Sequence, residues 1–77
     1  MDKKIVVIYV NLLDEGTPTI RPTNAEVLGD NLYRLHPTER YDPEDETWEF
    51  VPGAIVTCER IRTEKGVSAL LAVKQVG

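Results

Sequence analysis

The hydrophobic positions of this chain fall into short extended runs, and none of them keeps a helical period. Residues 3–13 read KKIVVIYVNLL, dominated by β-branched side chains that suit a pleated surface better than a helix. In a strand, Val6, Ile8, Val10 and Leu12 share one face, and Ile5, Val7, Tyr9 and Asn11 share the other. Both faces are apolar. The pattern therefore predicts a strand covered on both sides, as in a closed barrel or at a dimer contact. Asp14 to Pro18 reads as a turn or short loop. A second extended segment covers residues 20–28 and contains Pro22. Proline has no N–H for a ladder, so this strand starts at a sheet edge or carries a bulge. Ala25 and Val27 take one of its faces, Asn24 and Glu26 the other.

Gly29-Asp30-Asn31 is a tight-turn signal, and residues 32–36 follow as a strand, so these two segments predict a hairpin. Tyr33 and Leu35 are expected inward, with Arg34 and His36 outward. Residues 36–46 are polar, acidic and unpatterned, with Pro37 and Pro43. They predict an exposed loop with one helical turn over residues 43–46, where proline and acids suit the start of a helix. Residues 47–51 alternate, with Trp48 and Phe50 on one face. Pro52-Gly53 turns the chain into a β-branched strand over residues 54–61. Glu64-Lys65-Gly66 turns it again into a last strand over 67–76, with Val67, Ala69, Leu71 and Val73 on one face. Neither an amphipathic helix of ten residues nor an internal repeat is present. The expected fold is all-β: one domain over residues 1–77, a small SH3-like barrel of five to six short antiparallel strands. An OB-like barrel is the alternative. A barrel removes sheet edges that a chain this apolar would otherwise have to protect.

Length and composition narrow the chemistry. A chain of 77 residues buries only about 60% of its unfolded surface, so its core is thin. The single cysteine, Cys58, closes no intrachain disulfide, and with the single histidine, His36, it falls short of a four-ligand zinc site. Stability must then rest on packing or on a partner chain, a second copy included. The apolar run of residues 5–10 is too short for an export signal or a membrane span. With one unpaired cysteine, a reducing cytoplasm is the expected location. The net charge is −4, but residues 39–49 alone carry six acids and one base, a local −5 that leaves +1 for the rest. Nucleic-acid binding runs on phosphate neutralisation by Lys and Arg, so an acidic chain is a poor candidate for it. Arg21, Arg34, Arg60 and Arg62 would serve RNA only if the barrel gathered them on one face.

Several strings together resemble a group of short bacterial proteins of hypothetical function. They are Leu12-Leu13-Asp14-Glu15-Gly16, Arg21-Pro22, Leu28-Gly29-Asp30, Tyr33-Arg34-Leu35, Tyr41-Asp42-Pro43-Glu44-Asp45-Glu46, Trp48-Glu49-Phe50 with Pro52-Gly53, and Cys58-Glu59. The resemblance runs from about Val10 to Glu59 and implies no activity and no site residues. The stretch from Phe50 through Pro52-Gly53 to Val56 is similar to turns in SH3-like barrels of translation factors and KOW-type domains, which implies the same fold.

The acidic window is the most conspicuous candidate for function. Tyr41, Asp42, Glu44, Asp45, Glu46 and Glu49 form the candidate partner-binding set, because an aromatic beside carboxylates is a usual way to grip Arg or Lys. The plain reading of the same stretch is a solvated loop that keeps the protein soluble. As a calcium loop it lacks the central glycine. Trp48 is expected in the core and Tyr41 at the surface. His36 reads as a surface histidine and Cys58 as a small buried hydrophobe without a base to activate it. No phosphate loop, nucleophile elbow or His-Glu metal motif occurs. The expectation is a non-enzymatic interaction module with no cofactor and no metal, binding a protein partner of basic character, with homo-oligomerisation as an added option. Two alternatives stand beside it: an acidic inhibitor or immunity-type protein that blocks a basic nuclease or toxin, and an RNA- or ribosome-associated barrel.

Overall fold

The computed structural model describes residues 3–39 and 41–76. Six strands follow one another, and the described residues contain no helix: β1 (Ile5–Leu13), β2 (Thr19–Gly29), β3 (Leu32–Leu35), β4 (Thr47–Trp48), β5 (Ile55–Arg62) and β6 (Ser68–Gln75). They form one sheet in the order β2-β3-β5-β6-β1-β4, and β2 also pairs with β1. That extra pairing curls the sheet into a five-strand ring, with β4 appended to the end of β1. The domain is a small, partly closed all-β barrel.

The ring has a built-in asymmetry. Each of its strands reverses the direction of the one before, so with five strands the first and last run the same way. Closure therefore needs one parallel pair, and β1 with β6 is that pair, in register at Tyr9 and Leu71. The antiparallel junction on the other side of β1 is far longer, from Ile5↔Glu26 to Leu12↔Thr19. Every ring strand then lends its inner face to one core. Ile8, Val10 and Leu12 come from β1, Ala25 from β2, Leu35 from β3, Val56 and Cys58 from β5, and Ala72 from β6; Trp48 of β4 plugs one end. The period-two alternation of β-branched residues is what puts them there. Thr23 is the buried polar residue among them, and its hydroxyl donates to the His36 carbonyl, which removes the cost of burying it unpaired.

The β1–β6 pair departs from the expected all-antiparallel pairing, and three further expectations change. First, β1 is covered on one face only. Its inner face is buried, but on its outer face Ile5 and Val7 remain 45% and 56% exposed. A barrel this small covers the inside of a strand, and among the described residues no strand or helix crosses its outside. Second, the strand expected over residues 47–51 stops at Trp48. The Glu49 N–H still donates to the Asn11 carbonyl at 2.9 Å, but the chain then bends, and Phe50 turns to pack against the core. Gly53, at φ 94°, lets its N–H reach the Leu35 carbonyl at 2.8 Å, a backbone state other residues rarely adopt. Third, Tyr41 is half-buried rather than fully exposed, for reasons given below.

The β2–β3 hairpin forms as expected, around Asp30 and Asn31, with a register shift between Val27 and Gly29. Pro22 lies beyond the end of β3, whose pairing to β2 begins at Ala25, so its missing N–H disturbs no ladder. Asn31 does more than turn the chain. It sits at φ 53°, a left-handed conformation that asparagine tolerates. Its Oδ1 accepts the Cys58 N–H at 3.1 Å, next to the irregularity between Thr57 and Cys58 in the β5–β6 pairing. A side chain thus extends β3 by one ladder bond. Asn31→Gly keeps the turn and loses that bond. We expect it to lower the free energy of urea unfolding by about 1 kcal/mol, whereas an unchanged midpoint would show that water replaces the bond at no cost.

Candidate functional site

The acidic loop is a built structure rather than a tether. Asp42 caps one helical turn: its Oδ1 accepts the Glu44 N–H at 2.9 Å, and its carbonyl accepts those of Asp45 at 3.0 Å and Glu46 at 2.9 Å. Pro43 follows the cap, where its fixed φ and absent N–H suit the first helical position. The turn expected over 43–46 is therefore present and begins from Asp42. Tyr41 is half-buried, because its ring meets Trp48 edge-on at 4.8 Å between centroids, with 67° between planes. Edge-to-face contact satisfies both ring quadrupoles, and it draws the loop back onto the barrel end.

The six candidates then divide. Glu46 forms an ion pair with Arg21 of β2 and accepts the Trp48 indole N–H at 3.2 Å. Glu49 accepts from the Asn11 side-chain amide at 3.2 Å. Asp42 holds the turn and Tyr41 packs on Trp48. Glu44 and Asp45 are exposed, and so is the neighbouring Glu39; among the described residues none of the three carboxylates has a side-chain partner. An open cleft of about 570 Å³ separates the loop from β2, lined by Arg21, Thr38, Glu39, Asp45 and Glu46. Arg40, the one base of the window, lies outside the described residues. Arg21 is the residue that sequence reasoning missed. It stands 25 positions from Glu46, and no local pattern marks it.

A second surface lies on the outside of the barrel. The outer row of β1, from Ile5 to Leu13, runs between Pro22 of β2 and Leu71 of β6, both in register with Tyr9. Val67 and Val73, near and in β6, are 58% and 38% exposed. An open groove of about 490 Å³ has Tyr9, Ile20, Ile61, Arg62, Glu64 and Lys65 among its lining residues. The row is not uniformly apolar: Glu26 and Asn24 of β2 stand beside Ile5 and Val7, and Asn11 is bonded to Glu49, and exposed apolar residues interspersed in this way are ordinary.

The groups with reactive chemistry are placed as the sequence suggested. Cys58 is buried, and burial pushes its thiol up to about 11 from 9.0, the opposite of what a nucleophilic cysteine needs. His36 is half-exposed, with Nε2 3.9 Å from Glu26 Oε1. Among the described residues, no group of three or more His, Cys, Asp or Glu side chains is arranged to hold a metal ion. Nor, among the described residues, is any helix long and apolar enough to cross a membrane. No family model matches this chain, and neither a curated protein nor a solved structure does.

Two outcomes follow from this geometry. An unfolded thiol ionises near 9.0 and the native one near 11, so the native state loses stability as pH rises from the first value toward the second. Below that window, native Cys58 should resist a thiol reagent that labels the urea-unfolded chain at once; rapid native labelling would contradict the burial. Glu46→Ala removes both the Arg21 pair and the indole acceptor. It should lower stability by about 1–2 kcal/mol and shift the emission of Trp48, the one tryptophan in the chain. Unaltered emission would mean that the loop is not anchored there.

Proposed function

We propose that this barrel is a non-catalytic interaction module whose acidic loop docks a basic segment of a partner protein. The observation that carries the reading is the division among the acids. Asp42, Glu46 and Glu49 hold the loop in shape through the bonds described above, while Glu39, Glu44 and Asp45 face solvent. A loop fixed in advance loses little entropy on binding. A cluster of one sign steers an oppositely charged partner and sets its orientation. The inert placement of Cys58 supports a role without covalent chemistry. A single buried cysteine also suits a reducing compartment, so the cytoplasm is the location we propose.

The structure refines which acids to change. Glu46 belongs to the fold, so the test reverses Glu39, Glu44 and Asp45 to Lys and leaves Glu46 in place. The full chain, immobilised, should retain from native lysate a basic protein that moderate salt releases, and the triple variant should lose it while keeping the wild-type thermal midpoint. Retention of the same protein by both, at the same salt, would sink the proposal.

A further inference from the structure

We infer that the free edge of β5 beyond Cys58 takes up an extended, acidic segment of a partner protein as an added strand. The Thr63 N–H donates to the Val67 carbonyl at 2.9 Å. Hydrogen-bonded pairs therefore fall at Ile61↔Ala69 and Glu59↔Leu71, and Arg60↔Leu70 and Arg62↔Ser68 are the non-bonded pairs between them. The N–H and C=O groups of Arg60 and Arg62 thus point away from β6. On that side β3 pairs with β5 at Ile55 and Val56, and Asn31 Oδ1 accepts the Cys58 N–H beyond them. Among the described residues, no strand other than β3 and β6 lies beside β5, and no loop backbone reaches Arg60 or Arg62. Two donors and two acceptors are left, repeating at about 6.8 Å along the strand. An extended peptide matches them group for group, as in strand addition to an open sheet edge.

Side chains choose the occupant. Arg60 and Arg62 share one face of β5, both exposed, and Glu59 and Ile61 take the other. Among the described residues neither arginine is in an ion pair. Arg60 Nη1 donates to Ser68 Oγ at 2.9 Å, which steadies the guanidinium and leaves its other donors free. Lys65 adds a positive charge in the turn that follows, and Glu64 cancels it. An antiparallel segment bonded to Arg60 and Arg62 sets two of its own residues, two apart, directly opposite them. Acids at those positions attract the arginines, and cations repel them. A second copy is therefore the wrong occupant: edge to edge about a two-fold axis, β5 sets Arg60 against Arg62, or either arginine against its own copy. The residue between the two acids faces Ile61, which is half-buried, so an apolar side chain fits there. The segment recognised reads acid, apolar, acid.

Nothing here depends on the acidic loop, whose free carboxylates carry the opposite sign. The test is an amide-resolved NMR titration of the isotope-labelled chain with the blocked peptide Thr-Glu-Val-Glu-Thr and its counterpart Thr-Lys-Val-Lys-Thr. In the free protein the Arg60 and Arg62 amides should exchange with solvent at once, and those of Glu59 and Ile61, bonded to β6, slowly. The Glu peptide should shift the Arg60 and Arg62 amides saturably, with half-saturation below about 1 mM, and slow their exchange. The Lys peptide should leave both unchanged. Arg62→Gln, which keeps the N–H, should weaken the Glu peptide roughly threefold. Arg62→Pro, which removes an N–H that the fold does not use, should weaken it about tenfold at an unchanged thermal midpoint. Reversing both arginines to Glu should switch the preference to the Lys peptide. Arg60 and Arg62 amides already protected in the free chain would overturn the inference, because the edge would be covered. So would a Glu peptide that shifts neither amide, a preference that charge reversal leaves unaltered, or a single-stranded RNA that saturates these amides at lower concentration than the peptide.

Discussion

The closure of the ring at β1 is the constraint from which the rest of this structure follows. Among the described residues, β1 is the one strand paired with three others, β2, β6 and β4. Five ring strands force its junction with β6 to be parallel, and that junction is short. The strand must therefore hold the barrel largely through its long pairing with β2 and through Ile8, Val10 and Leu12, all buried. The same topology explains its outer row. Among the described residues the ring is one strand layer without a helix to lay over that face, so Ile5 and Val7 stay exposed there.

The end of β1 also organises the acidic loop. Leu12 pairs with Trp48 and Leu13 with Thr47, which brings the indole into the barrel mouth. Once Trp48 is buried, its N–H needs an acceptor, and Glu46 provides one. Glu46 in turn is held by Arg21 from the adjacent strand. Tyr41 completes the plug by packing on the ring. A chain of local requirements thus runs from strand pairing to a buried indole to a fixed carboxylate. What remains facing water is the part of the acidic window that no structural demand has absorbed.

Much of this was legible in the sequence where the signal is local. The β-branched run of β1 marks a strand, Gly29-Asp30-Asn31 marks a hairpin because Asn31 tolerates a positive φ, and Pro43 followed by acids marks a helical turn. The confinement of the acids to one loop is likewise a property of the linear chain. What could not be read depends on distant partners. The parallel seam follows from how many strands close the ring, which no segment encodes by itself. Phe50 alternates properly with Trp48 yet leaves the strand, because its place in the core lies round a bend. Tyr41 resembles a surface residue until Trp48 is beside it, and Arg21 has no mark of its role until β2 brings it to Glu46. Asn31 was visible as a turn residue but not as the acceptor for Cys58, which needs the irregularity in β5.

Amide hydrogen exchange, resolved by residue, tests the central place of β1 most directly. If ring closure holds the fold, the β1 amides of Ile8 and Val10 exchange only with global unfolding, alongside their β2 partners Thr23 and Arg21, while the loop from Pro37 to Glu46 opens well before them. If β1 instead exchanges ahead of the β2–β3 hairpin, the barrel stands without it and the account is wrong.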